Sequence, residues 1–218
     1  MDVMELIMST KLVENNHEFE IAPGVKNTDL QKINLTSTSN KDNWTLAVDM
    51  FRKRIDRFLE PVKTLIYSSD TKTILYSGFA IMALDCLLIE TLQSFRVGRL
   101  NPVKHNDHQS TQTMVNFLVQ RPAFKTYFDG EPKARHFCDH FRNGILHQGE
   151  VKSSGRIRID TPEMIMPSGD KQSFIVNRRK FHDALVQEVD AYAAELIEGK
   201  DSLLRDNFIK KMNEICRI

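Results

Sequence analysis

The sequence predicts a mainly all-α fold, a helical bundle of about five to six helices carrying one small β-hairpin. Three observations support it. From Trp44 onward apolar residues recur at steps of three and four over most of the chain. The segment around Phe79–Leu92 is apolar nearly all round, as in a central buried helix. Only one stretch, about 155–177, has β-forming composition bounded by turn residues. At 218 residues the chain suits one domain, read as 41–218, preceded by an N-terminal extension over 1–40.

Residues 1–40 are rich in Asn, Thr and Ser ("NLTSTSNKDN"), which predicts loops or partial order. Trp44, Ala47, Val48, Phe51, Ile55, Phe58, Leu59, Val62 and Ile66 then define the first long helix. Asp42 or Asn43 can cap it, and Pro61 is expected to kink or break it. A second helix is expected from about Thr71 to Val97, with Ser69 or Asp70 as cap. Asp85 and Glu90 lie in it, and a buried acid needs a cationic partner. Arg142 is the candidate.

"VGRLNPVKHNDHQ" (97–109) reads as a loop, Ser110–Gln120 as a third helix, and "RPAFKTYFDGEPKA" as an aromatic-bearing connection. A fourth helix is expected from Pro132 to Gln148. "GRIRID" and "SFIVN" read as the arms of a hairpin, with Ser168-Gly169-Asp170 offering a turn. Phe181, Leu185, Val189, Tyr192 and Leu196 share a helical face ended by Gly199. Leu204, Phe208, Met212 and Ile215 mark a last short helix.

Composition narrows the function classes. The formal net charge is +1, so no global field attracts a partner. Arg96–Arg158, however, holds eleven Lys/Arg against five Asp/Glu, and five of the seven His: His105, His108, His136, His140 and His147. Such a zone favours an anionic partner. Cys86, Cys138 and Cys216 are scattered and odd in number, so no disulfide framework is indicated and a reducing cytoplasm is expected. "MDVMELIM" lacks the positive start of a signal peptide, and the run Phe79–Ile89 is too short to span a bilayer.

The chemistry-bearing stretch is "FRNGILHQGE" (141–150), where Arg142, Asn143 and His147 sit among apolar residues of a core helix. Buried polar groups of this kind are either paired or line a site. The spacing Arg142-Asn143-x-x-x-His147 resembles the signature of the HEPN superfamily: an Arg, a polar residue next to it, and a His four to six positions after the Arg. The order of elements is also similar, a long apolar helix before a motif-bearing helix, over roughly 44–198. The resemblance implies a helical homodimer and a metal-independent endoribonuclease. The 2′-hydroxyl would attack the adjacent phosphorus and leave a 2′,3′-cyclic phosphate and a 5′-hydroxyl end. His147 would be general base or acid, Arg142 the phosphate clamp, and Asn143 an orienting group. It further implies a toxin–antitoxin or phage-defence setting, with an antitoxin or other regulatory protein as possible partner. Other branches of the family are non-catalytic modules that bind RNA, nucleotide or protein.

On its own terms the chemistry is sound, since imidazole titrates near neutrality and guanidinium offers a fixed charge in a fork. No metal or other cofactor is required. Glu90 is expected as a structural partner, with His140, Arg135 and Lys152 as weaker RNA contacts. "FKTYF" (124–128) hints at aromatic stacking on bases. Zinc ligation by His136 and His140, four apart, is the metal alternative. Arg142 and His147 differ by about 140° on an ideal helix, which suggests a composite site built by two chains. The bland alternative is a helical scaffold in which Arg142 pairs with Glu90 or Asp139 and His147 is structural.

Overall fold

The structure, a computed structural model, describes residues 17–100 and 107–218. It is mostly helical, with two small sheets. Among the described residues six long helical stretches sit among shorter ones not separated by the sequence pattern.

Residues 17–40 are more ordered than expected. β1 (Glu20–Ala22) and β2 (Val25–Lys26) pair antiparallel about Gly24, whose φ of +67° suits glycine. α1 (Asn27–Ile33) follows. Ile21, Ala22, Val25 and Leu30 are buried in the same core as the helices, so at least this part is no loose extension. Residues 1–16 lie outside the described residues.

α2 (Lys41–Ile66) is capped by Asn40, whose side chain accepts from the Asn43 amide, rather than by Asp42 or Asn43. It continues through Pro61. Pro61 and Arg57 are both exposed, so the Arg57 carbonyl that loses its amide donor faces solvent, where the loss is cheapest. The helix expected over 71–97 is divided at Ser77. α3 (Thr71–Tyr76) is capped by Asp70 and α4 (Gly78–Arg96) is the central helix. At the division Gly78 lets Arg178 and Ile157 close on the backbone: a Cβ there would meet them at 3.0 and 3.2 Å. By length and composition α4 could cross a bilayer, yet 56% of that stretch is buried inside the protein. Its Asp85 and Arg96 are also buried.

α5 (Asp107–Gln120) starts three residues before the expected Ser110, and the loop residues 101–106, with His105, lie outside the described residues. The "RPAFKTYFDGEPKA" connection contains α6 (Pro122–Lys125). Buried Glu188 holds its start, accepting from Ala123 N and Arg121 Nε at 3.0 Å each. α7 (Glu131–Phe137) passes into a π turn (Cys138–Arg142) and then α8 (Asn143–Gln148). Phe124, Phe128, Phe137, Phe141 and Phe174 form one aromatic cluster with Phe181. Phe124 and Phe128 are therefore core, and the "FKTYF" stacking platform does not exist.

The expected hairpin is a three-stranded sheet. β3 (Arg156–Arg158) and β5 (Phe174–Asn177) are parallel, not hairpin arms. The hairpin joins β4 (Ile165–Pro167) to β5, antiparallel, through the Ser168–Asp170 turn. β4 lies inside "TPEMIMPSGDKQ", where the Pro residues masked a strand only three residues long. α9 (Arg178–Glu198) is capped by Asn177 and ends at Gly199 in the left-handed region. α10 (Ser202–Cys216) packs on α4 and closes the bundle.

Candidate active site

α4 brings Glu90 against the π turn, which carries Asp139 and Arg142, and α8 carries Asn143 and His147. Arg142 is buried, with 4% of its surface exposed. Its Nε donates to Glu90 Oε1 at 2.8 Å and its Nη1 to Asn143 Oδ1 at 2.9 Å. Nη1 also lies 3.5 Å from His147 Nε2, at the outer edge of hydrogen bonding. Asn143 Nδ2 donates to Asp139 Oδ1 at 3.2 Å. Arg142, Asn143, His147, Glu90 and Asp139 thus form one connected polar group, with His147 at its exposed end.

The expectation that these side chains need two chains to meet is corrected. The partners of Arg142 Nη1 at i+1 and i+5 show the guanidinium running toward the C-terminal end of its helix. A long, extended side chain bridges the angle the backbone leaves between residues 142 and 147. The π turn contributes by shifting phase: Asn143 N donates to Cys138 O, five residues back. Phe137 and Phe141 stay stacked in the core at 4.8 Å while Arg142 falls under α4.

The chain leaving α8 seals this turn. Gly149 adopts φ +68°, and Lys152 N donates to His140 O at 3.1 Å while Glu150 N donates to Gly144 O at 3.3 Å. Gly144 is what permits the approach: a Cβ there would meet the Glu150 carbonyl oxygen at 2.4 Å.

The weaker expected contacts distribute unevenly. His140 and Lys152 share the bond just described, beside the π turn. Arg135 is exposed and bonds Gln112 on α5, apart from the Arg142 group. The rings of His136 and His140 meet at a tilt, 3.9 Å between centroids; His136 Nε2 contacts Gln172 O and His140 Nδ1 contacts Ser173 Oγ. Burial, and then the neighbouring His136, lower the His140 pKa. Among the described residues no group of three or more His, Cys, Asp or Glu is arranged to hold a metal.

Four of the eleven cations of the basic zone are paired with acids from outside it. Arg96 pairs with Glu195, Arg121 with Glu188, Arg142 with Glu90 and Arg158 with Asp160, each acid lying outside Arg96–Arg158. The three thiols are buried and free, and burial pushes Cys138 up to about 12 and Cys216 to about 11.

The second acid of α4 has a partner the sequence reading missed. Asp85 Oδ1 lies 2.8 Å from His182 Nδ1, both buried, and burial pushes the Asp85 carboxyl up to about 6. The signal was available: His182 precedes Leu185 and Val189 by three and seven residues, on the core face of α9.

Comparison with protein-family models, characterised proteins and solved structures gives no match. The functional reading therefore stands on the site and on the motif resemblance.

Proposed function

We propose that the chain is a metal-independent endoribonuclease of the HEPN type. The observation that carries the reading is the approach of Arg142 Nη1 to His147 Nε2 within one chain, with Glu90 fixing the guanidinium from behind. A guanidinium beside an imidazole supplies the fixed positive charge and the proton acceptor that in-line attack by a 2′-hydroxyl can use. His147 Nε2 takes the 2′ proton, the 2′ oxygen bonds to phosphorus, and Arg142 balances the charge that develops on the phosphoryl oxygens. The P–O5′ bond breaks on the opposite side, the 5′ oxygen takes a proton from solvent water, the imidazolium returns its proton to solvent, and a 2′,3′-cyclic phosphate remains. Asn143, held by Asp139, keeps Arg142 Nη1 in place.

A homodimer, a cytoplasmic setting, control by an antitoxin or regulatory protein, and a toxin or phage-defence role complete the proposal and rest on the resemblance. Exposed Leu75, Tyr76, Phe79 and Leu87 along α3 and α4 support self-association.

One observation favours a second reading. Arg142 is almost wholly buried, as a strut would be, and a non-catalytic module that binds RNA, nucleotide or protein through the same surface needs only the exposed His147. The test is cleavage of end-labelled RNA in EDTA, with the product ends identified. The nuclease reading expects cyclic phosphate and 5′-hydroxyl ends, and no cut where the 2′-hydroxyl is replaced by hydrogen. RNA retained but uncut across pH 5–9 would select the second reading.

A further inference from the structure

Glu90 has a second side. It lines a cavity of about 320 Å³ on the outer face of α4, together with Arg54 from α2, Arg99 just past α4, and Lys211 from α10. Three cations from three separated parts of the chain converge there. The one carboxylate among the lining residues, Glu90, is ion-paired with Arg142 at 2.8 Å. Lys211 pairs with Glu214. Among the described residues the guanidinium groups of Arg54 and Arg99 are instead held by neutral oxygens. Arg54 donates to Ile21 O at 2.7 Å, and Arg99 to Gln109 O at 3.0 Å and to Thr113 Oγ1. Those bonds fix the two groups without cancelling their charge. The rest of the lining divides into hydroxyls, such as Thr91, and apolar side chains, such as Leu87.

Charge in excess of its compensation, hydroxyls, and an apolar wall match a phosphate, a ribose and a base in turn. The volume lies at the small end of ligand pockets, which suits one nucleotide rather than a duplex. Arginine forks are suited to phosphate oxygens in particular. We propose that this cavity binds a single nucleotide unit of RNA, its phosphate on Arg54 and Arg99, flanking the phosphodiester that Arg142 and His147 act on. The inference rests on the nuclease reading for its place beside the scissile bond. The shared residue is Glu90, whose carboxylate forms part of the cavity wall while it positions Arg142.

The test separates the two claims by measuring binding without turnover. Full-length His147→Ala protein is titrated by calorimetry with adenosine 5′-monophosphate, adenosine and inorganic phosphate in separate arms. The nucleotide is expected to bind more tightly than either fragment. Arg99→Gln, which removes a phosphate contact, and Thr91→Glu, which places a carboxylate on the exposed edge of the same wall, should each weaken nucleotide binding about tenfold or more. Circular dichroism confirms that each variant is folded. In the otherwise wild-type chain Arg99→Gln should raise KM for RNA by a similar factor and change kcat far less. Nucleotide binding that is undetectable at millimolar concentration, equal to that of phosphate, or unmoved by both substitutions would overturn the cavity assignment, even if RNA is cut. Nucleotide binding that requires Arg99 and resists Thr91→Ser but not Thr91→Glu, in a protein that cuts no RNA, would uphold the pocket and remove only the nuclease reading.

Discussion

Gly144→Ala tests the local architecture with a sign that simple helix propensity gets wrong. On an exposed helix, alanine in place of glycine stabilises by about 1 kcal/mol. Here the new methyl would lie 2.4 Å from the Glu150 carbonyl oxygen, and 3.4 Å from Lys152 N and Cγ. Restoring ordinary contact requires the 149–152 segment to retreat by about 1 Å, because the obstructing atom is backbone and cannot rotate away. That retreat breaks the bonds from Glu150 N to Gly144 O and from Lys152 N to His140 O. Each is worth about 1 kcal/mol, and the buried side of the π turn also loses packing. After subtracting the propensity gain, the variant should be destabilised by roughly 1–2 kcal/mol. Urea unfolding followed by circular dichroism reads this as a lower midpoint at unchanged slope. Gly144 itself lies between Arg142 and His147, so RNA cleavage should fall as well. A variant as stable as wild type, or more stable, would refute the account of how the strap seals the π turn.

Two further outcomes follow from the ion pairs of α4. Glu90→Gln leaves the buried Arg142 guanidinium without a counter-charge and should cost about 2–3 kcal/mol in urea unfolding, at the low end for a buried pair because Glu90 is partly exposed. The double variant Glu90→Gln, Arg142→Gln should recover part of that loss, and a cycle with no coupling would contradict the assignment. Asp85→Asn tests the buried Asp85–His182 pair by pH. Burial raises the Asp85 carboxyl from 3.8 to about 6, so folding takes up a proton between those values. Its contribution is fully present below pH 4 and is lost as pH rises through 6. Relative to Asp85→Asn, the wild-type chain should therefore gain about 2 kcal/mol between pH 7 and pH 4. A difference between the two proteins that stays flat over that range would show that Asp85 is not held in this way.

Periodicity exposed what depends on burial of one face. The long helices around Phe51, Leu88, Phe141, Leu185 and Phe208 were all legible because each places its apolar residues on the core side. What escaped were features set by contact between distant segments. The division at Ser77 depends on Arg178 and Ile157 closing on Gly78, which nothing in "LYSGFA" declares. β3 reads as a hairpin arm until the parallel register Arg156↔Ile175 is known. For the site, the motif residues were singled out by their resemblance to a family signature, and the Arg142–Glu90 pair by the need to neutralise a buried acid. The π turn was not legible. It adds one residue per turn without any change in composition, and its unused carbonyl finds Lys152 N only after the chain reverses at Gly149. The charge excess over Arg96–Arg158 is smaller in space than in sequence for a related reason, because four compensating carboxylates sit on α4, on α9 and just beyond β3.

The most direct measurement is single-turnover cleavage of one defined RNA in EDTA by wild-type, Arg142→Ala and His147→Ala proteins, each shown to be folded. Removal of the imidazole or of the guanidinium should slow the cut by about 100-fold or more while RNA is still bound. Cleavage at the wild-type rate by both folded variants would contradict the assignment of this pair as the reacting groups.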